Sequence, residues 1–222
     1  MSIVENLNHI KSTLPDHVTL VAVSKTKPIR DIMEAYRAGQ IIFGENKIQD
    51  MVEKYEQLPK DIEWHMIGHV QRNKVKYMAS FVSLIHGVDN FKLLKEINKQ
   101  AQKYDRVIDC LLQIKIAEED SKFGMEPKEA LELIQSEPFS SLKNIKIVGL
   151  MGMATFTEDM HQVKQEFTLL KNTFDSLKKI ETFNFKPQTI SMGMSGDYPL
   201  AIDCGSTMVR VGSSIFGERN YP

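Results

Sequence analysis

The chain has 222 residues, 42% of them apolar and 26% charged, with a formal net charge of −1. That length suits one domain, residues 1–222, burying roughly 70–75% of its unfolded surface without a disulfide or metal staple. Such a charge balance gives no electrostatic pull toward nucleic acid or an anionic membrane, and no apolar run reaches the ~18 residues of a membrane span. The opening "MSIVENLNHIKSTLP" lacks the basic start and apolar centre of a signal peptide. Cys110 and Cys204 stand far apart and form no CxxC, a usage that suits a reducing cytoplasm, the expected location.

After an N-terminal helix, short apolar runs alternate with longer amphipathic ones. The Val- and Ile-rich strand candidates are Thr19–Val23, Ile41–Phe43, Glu63–Ile67, Ser83–Val88, Ile108–Ile116, Ile145–Leu150, Thr189–Ser191 and Met208–Val211. Between them, "DNFKLLKEINKQAQKY" offers Asp89 or Asn90 as a cap, with Phe91, Leu94, Ile97 and Ala101 at helical spacing. Pro127 opens a helix through Leu131 and Ile134. Val163, Phe167, Leu170, Phe174 and Leu177 form a core-facing stripe on a helix of about five or six turns. About eight strand–helix pairs, with no linker or composition shift, predict a single closed (β/α)8 barrel carrying an extra N-terminal helix.

In such barrels chemistry sits at the carboxyl ends of the strands, and phosphate often binds after strands seven and eight. The stretch "TLVAVSKTKP" brings Lys25 to the end of the first strand, and alternation puts Val21, Val23 and Lys25 on one face. An amine in a partly dry barrel mouth loses some of its charge to desolvation and becomes a nucleophile toward a carbonyl. The plainer reading is a lysine whose stem lies on apolar surface and whose amine reaches water.

The tail "SMGMSGDYPLAIDCGSTMVRVGSSIFG" interleaves glycines with hydroxyl residues. Glycines let backbone approach a phosphate, and hydroxyl and N–H groups donate to it. Ser195 falls where a helix through Tyr198–Ile202 would begin, and Gly212, Ser213 and Ser214 follow the last strand. The alternative is that these glycines only make turns. Arg210 shares a face with Met208 and Gly212. It either faces the ring nitrogen of an aromatic cofactor or makes a structural ion pair. Together the amine, cradle and guanidinium match a phosphorylated aldehyde with a basic ring, pyridoxal 5'-phosphate (PLP).

The blocks "LVAVSKTKP", "FGEN", "WHMIGHVQRNK", "IHGVD", "GLMGMA" and the tail quoted above resemble, in order and through nearly the whole chain, the pyridoxal phosphate homeostasis protein family. This resemblance implies a barrel like the N-terminal domain of alanine racemase, with PLP held as an aldimine of Lys25. It also implies that Ser195, Gly212 and Ser213 hold the phosphate and that Arg210 faces the pyridine nitrogen. Asn46 and Met192 or Met194 are implied as pocket linings. One block departs from the family pattern: in "KIAEEDSKFG", Lys115 stands at the apparent Asn position, and no site role is assigned there.

The family reading is intracellular PLP buffering or delivery by a monomer, with transient contact to PLP-dependent enzymes and no turnover of its own. Alanine-type racemases use a second base, a tyrosine from an additional β domain, and no such domain is expected after this chain's last barrel block. The alternatives are a PLP racemase or similar enzyme working through Lys25, and a Schiff-base aldolase using the cradle for a sugar phosphate. His65 and His69 in "HMIGH" have zinc-helix spacing, but Met66 replaces the general-base Glu and His65 falls on a strand, so no metal site is read there. Gln71–Lys74 open the next helix pattern and are read as solvated surface.

Overall fold

Eight parallel strands close into a barrel in sequence order in the computed structural model, which describes residues 2–118, 123–180 and 182–217. They are β1 (Thr19–Val23), β2 (Ile42–Glu45), β3 (Glu63–Met66), β4 (Leu84–Val88), β5 (Ile108–Gln113), β6 (Ile145–Met151), β7 (Phe185–Met194) and β8 (Met208–Val211). The helices are α1 (Ile3–Thr13), α2 (Ile29–Arg37), α3 (Ile48–Gln57), α4 (Phe91–Gln102), α5 (Pro127–Ile134), α6 (Glu137–Ser140), α7 (Met160–Leu177), α8 (Tyr198–Asp203) and α9 (Ser213–Phe216). The connection from β3 to β4 is a 3-10 helix, Arg72–Tyr77, where the sequence suggested an ordinary helix opening at Gln71.

The expected (β/α)8 barrel with an extra N-terminal helix is what the chain forms. A reciprocal Ser2–Glu5 capping box starts α1, satisfying N–H groups that have no partner inside the helix. Leu7 and Ile10 of α1 are buried, and Asn6 Nδ2 donates to the Ile215 carbonyl at 3.1 Å. Since α9 is a single turn, α1 packs beside it and completes the helical shell there. Asn90 is the observed cap of α4, accepting from Leu93 N at 2.9 Å.

Alternation along the strands sorts side chains into two cores. Leu20, Ala22, Phe43, Trp64, Ile85, Leu112, Ile190 and Val209 join the layer between strands and helices. Val21, Leu84, Leu111, Met151 and Met208 fill the barrel itself. The stripe read on α7 is buried as expected, from Val163 through Leu177. Closure sets the site's register: β1 lies beside β8 with Val21 opposite Arg210.

Two strands differ from their sequence reading in a way that matters. β2 runs on to Glu45, because tertiary partners hide that carboxylate. β7 spans ten residues and its register with β8 shifts between Ser191 and Met194. Gly193 takes φ +95° within that bulge, a backbone state disfavoured for residues with a Cβ.

Candidate functional site

The carboxyl ends of the strands surround a cavity of about 500 Å³ lined by residues from β1, β2, β3, β5, β6, β7 and β8 or the turns that follow them. Lys25, Asn46, Met194, Ser195, Arg210, Gly212 and Ser213 all line it. Met192 does not. Its side chain is fully buried in the layer between strands and helices. The bulge at Gly193 is the reason: strict alternation would put Met192 and Met194 on one face, and the extra residue sends only Met194 into the cavity.

The turns after β7 and β8 meet directly. Gly212 N donates to Ser195 Oγ at 3.1 Å, and a Cβ added at Gly212 would come within 3.2 Å of Val23. The absent side chain is thus what lets β8 pass close to β1 beneath Lys25. Asp197 stands just before α8, and its Oδ1 accepts from Met194 N at 2.5 Å rather than from the helix, fixing the turn that presents Ser195. Burial raises the Asp197 carboxyl pKa above its usual value. Ser213 starts α9, where leading N–H groups have no intrahelical partner.

Lys25 sits on a backbone gripped from behind. Buried Glu45 accepts from Ser24 Oγ at 2.5 Å and from Lys54 Nζ at 2.7 Å. Lys54 Nζ also donates to the Ser24 carbonyl at 2.8 Å. Both atoms of Ser24 that can anchor the strand end are therefore tied down. Thr26 takes φ +64°, unusual for a β-branched residue, so the chain turns sharply as soon as it has delivered Lys25. Lys27, which also lines the cavity, donates to the Phe216 and Gly217 carbonyls at 2.9 and 3.1 Å.

Arg210 is 3% exposed and forms the cavity floor. Its Nη1 donates to the Ser191 carbonyl at 2.8 Å and to Ser191 Oγ at 2.5 Å, and its Nη2 donates to the Gly152 carbonyl at 3.0 Å. No ion pair holds it among the described residues; carbonyl and hydroxyl oxygens do. Burial lowers its pKa to about 10, opposed by the Asp197 charge, so the guanidinium stays charged at neutral pH.

Several lining residues had little signal in the sequence. Gly68 packs so tightly that a Cβ there would lie 2.3 Å from the Asn46 carbonyl oxygen. His69 stacks on Phe123, with centroids 4.3 Å apart, at the rim beside exposed Phe156. Gln113 donates to the Phe123 carbonyl at 2.9 Å. In the departing block, Phe123 lines the cavity, whereas Glu119 and Lys122 lie outside the described residues. Glu166 of α7 ties the turn after β6, accepting from Thr155 N at 2.7 Å and Thr155 Oγ1 at 2.6 Å. Among the described residues no three His, Cys, Asp or Glu groups converge as metal ligands, and His65 and His69 belong to different surroundings.

A parallel barrel with a strand-end lysine, glycine- and serine-rich turns after β7 and β8, and a buried arginine defines a class. The model of the alanine racemase N-terminal domain matches residues 1–220. Solved alanine racemases share the fold at low identity; the one from E.faecalis is 16% identical with a TM-score of 0.74, covering 98% of this chain and 58% of that one.

Within that class the chain belongs to the pyridoxal phosphate homeostasis protein family. The Pasteurella multocida protein of that name is 41% identical over 92% of this chain and 88% of its own length. The Aquifex aeolicus one is 40% identical over 91% and 87%. PipY of Synechococcus elongatus, solved with PLP bound, is 34% identical with a TM-score of 0.88, covering 97% of this chain and 100% of that one.

Proposed function

We propose that this protein binds PLP covalently at Lys25, as a lysine aldimine, and serves PLP homeostasis in the cytoplasm by holding and delivering the cofactor without turnover of its own. The observation that carries this reading is the convergence of three groups from opposite ends of the chain on one cavity: Lys25, the Ser195–Gly212 contact and Arg210. The PLP-bound PipY relative supports the same choice of ligand.

The donor set fits the cofactor group by group. Lys25 supplies an amine able to condense with an aldehyde, releasing water. Ser195 Oγ, Gly212, Ser213 and the first turn of α9 supply hydroxyl and N–H donors for a phosphate. Arg210 supplies a cation at the floor. The cavity volume of about 500 Å³ lies within the usual range of small-molecule sites, ~300–1,000 Å³.

When bound, PLP supplies an electron sink whose strength depends on a protonated ring nitrogen. A charged arginine facing that nitrogen disfavours its protonation by like-charge repulsion. This favours holding over turnover. A monomer in transient contact with PLP-dependent enzymes completes the reading.

The test is direct. Protein incubated with PLP, desalted, reduced with borohydride and digested should carry the pyridoxyl mass on the peptide containing Lys25. Lys25→Ala should lose both the label and the visible absorption band. A label retained elsewhere at full stoichiometry, or racemisation of an amino acid by wild type that Lys25→Ala abolishes, would overturn the reading.

A further inference from the structure

Beneath the cavity the barrel interior is polar where apolar side chains would pack at lower cost. His65 on β3 and His86 on β4 are 4% and 0% exposed. His86 Nε2 lies 3.1 Å from His65 Nδ1, and His86 Nδ1 lies 3.0 Å from Ser191 Oγ on β7. Ser191 in turn takes two hydrogen bonds from Arg210 on β8. Four side chains thus join four strands across the barrel and end on the cavity floor.

The chemistry of the last member sets the direction of its own bonds. A guanidinium only donates, so Ser191 Oγ accepts from Arg210. The 3.0 Å contact with His86 Nδ1 admits either tautomer of that ring; the arrangement inferred is the one in which the Ser191 hydroxyl donates to His86 Nδ1. His86 therefore carries its proton on Nε2 and donates it to His65 Nδ1, which leaves the His65 proton on Nε2. Burial agrees with two neutral rings: His65 is pushed down to about 3, and His86 well below its usual value by burial, then by the His65 and Arg210 charges. Three of the five guanidinium N–H groups are now engaged, leaving Nε–H and one Nη2–H for a ligand.

We propose that His65, His86 and Ser191 are positioning residues for Arg210, a one-way hydrogen-bond relay that fixes the guanidinium's rotation and aims its unused N–H groups at the ring nitrogen of a bound pyridine. The inference rests on the PLP reading and adds to it how the ring end is recognised. An apolar replacement for these side chains would pack the barrel as Val21, Leu84, Leu111 and Met151 do. It would leave Arg210 without its Ser191 partners or their orientation.

Two measurements test this. In ligand-free protein, long-range proton–nitrogen spectra of labelled histidine should show His65 and His86 as neutral Nε2–H tautomers at pH 7. A protonated Nδ1 on His86 would overturn the relay, whatever the protein binds. Second, PLP and its analogue with C–H in place of the ring nitrogen are titrated against wild type, Ser191→Ala, His86→Leu and His86→Asn, each checked for native circular dichroism.

Ser191→Ala and His86→Leu should weaken PLP binding about 10-fold, the worth of one charge-assisted hydrogen bond, and shift the bound cofactor's absorption. The analogue should change less than about 2-fold by the same reasoning. His86→Asn, which returns an acceptor toward Ser191, should recover most of the loss. Parallel weakening of PLP and analogue would mean a merely structural role and would overturn the proposal. Failure of wild type to bind PLP would instead remove the reading beneath it, a result that parallel losses cannot produce.

Discussion

Lys54→Met tests how the strand end that delivers Lys25 is held. In the wild type the Lys54 ammonium and Glu45 carboxylate are 2.7 Å apart, with side chains 10% and 0% exposed, and the second Glu45 oxygen has no partner. Removing the ammonium leaves a buried carboxylate with only Ser24 Oγ to solvate it, a loss of about 3–5 kcal/mol at pH 8. With a urea dependence near ~3 kcal/mol per molar, the midpoint should fall by about 1–1.5 M.

The pH dependence carries the sharper signature. Burial already raises the Glu45 pKa, while the Lys54 charge and hydrogen bond hold it down; deleting Lys54 raises it further. A group with a raised folded pKa contributes its stability below the unfolded value and loses it as pH rises through the folded value. The deficit of Lys54→Met should therefore shrink as the pH is lowered from 8 to 5 and Glu45 takes up its proton more readily in the variant, and grow toward pH 8. Glu45→Gln combined with Lys54→Met should recover roughly 2 kcal/mol at pH 8, because no unpaired charge remains buried. Urea unfolding of the three proteins at both pH values decides it. Equal wild-type and Lys54→Met midpoints at pH 8, or a deficit that grows on acidification, would refute the argument.

Gly68→Ala places a methyl 2.3 Å from the Asn46 carbonyl oxygen, so stability should fall by ~1–3 kcal/mol, and melting should drop by about 3–10 °C for a chain of this size. Calorimetry showing no shift would mean the β2–α3 turn yields freely. The two interior histidines predict acid sensitivity: a lowered folded pKa means stability is lost as pH falls from the unfolded value near 6.5 toward about 3 for His65, at about 1.4 kcal/mol per pH unit per ring. His65→Asn should flatten the unfolding free energy against pH by about one proton's worth, and an unchanged slope would place the sensitivity elsewhere. Thr26→Gly relieves a β-branched residue at φ +64° and should raise stability by up to ~1 kcal/mol; a loss larger than that would show that the threonine side chain earns its position through contacts.

The parts of the site that follow from alternation were legible in the sequence. Thr19–Val23 and Met208–Val211 are strands with the expected bounds, and Val21, Lys25 and Arg210 face where period two sends them. What stayed hidden depends on partners distant in the chain. Glu45 lay outside the strand read at Ile41–Phe43, since its counter-charge comes from Lys54 on the next helix. Met192 looked equivalent to Met194, since a bulge is invisible to a counting rule. The strand β7 looked short because Lys186, Pro187 and Gln188 interrupt its apolar run. His86 carried a usable signal: it alternates with Leu84 inside "SLIHGV", so a polar ring had to point into the barrel.

The placement of imidazoles bears on the proposal that the protein holds its cofactor rather than works on it. A catalyst of proton transfer needs a group that faces the ligand and changes protonation near the working pH. The two most buried imidazoles, His65 and His86, do not line the cavity with Lys25; burial lowers both pKa values, and their contacts run to each other and to Ser191. The histidine that does reach the cavity, His69, is stacked against Phe123 at the rim. On the relay proposed above, these side chains would hold Arg210, whose pKa of about 10 keeps it charged at neutral pH, in place at the floor. On the proposed reading, a pyridine ring held against that cation would be disfavoured from gaining the proton that would make it an effective electron sink.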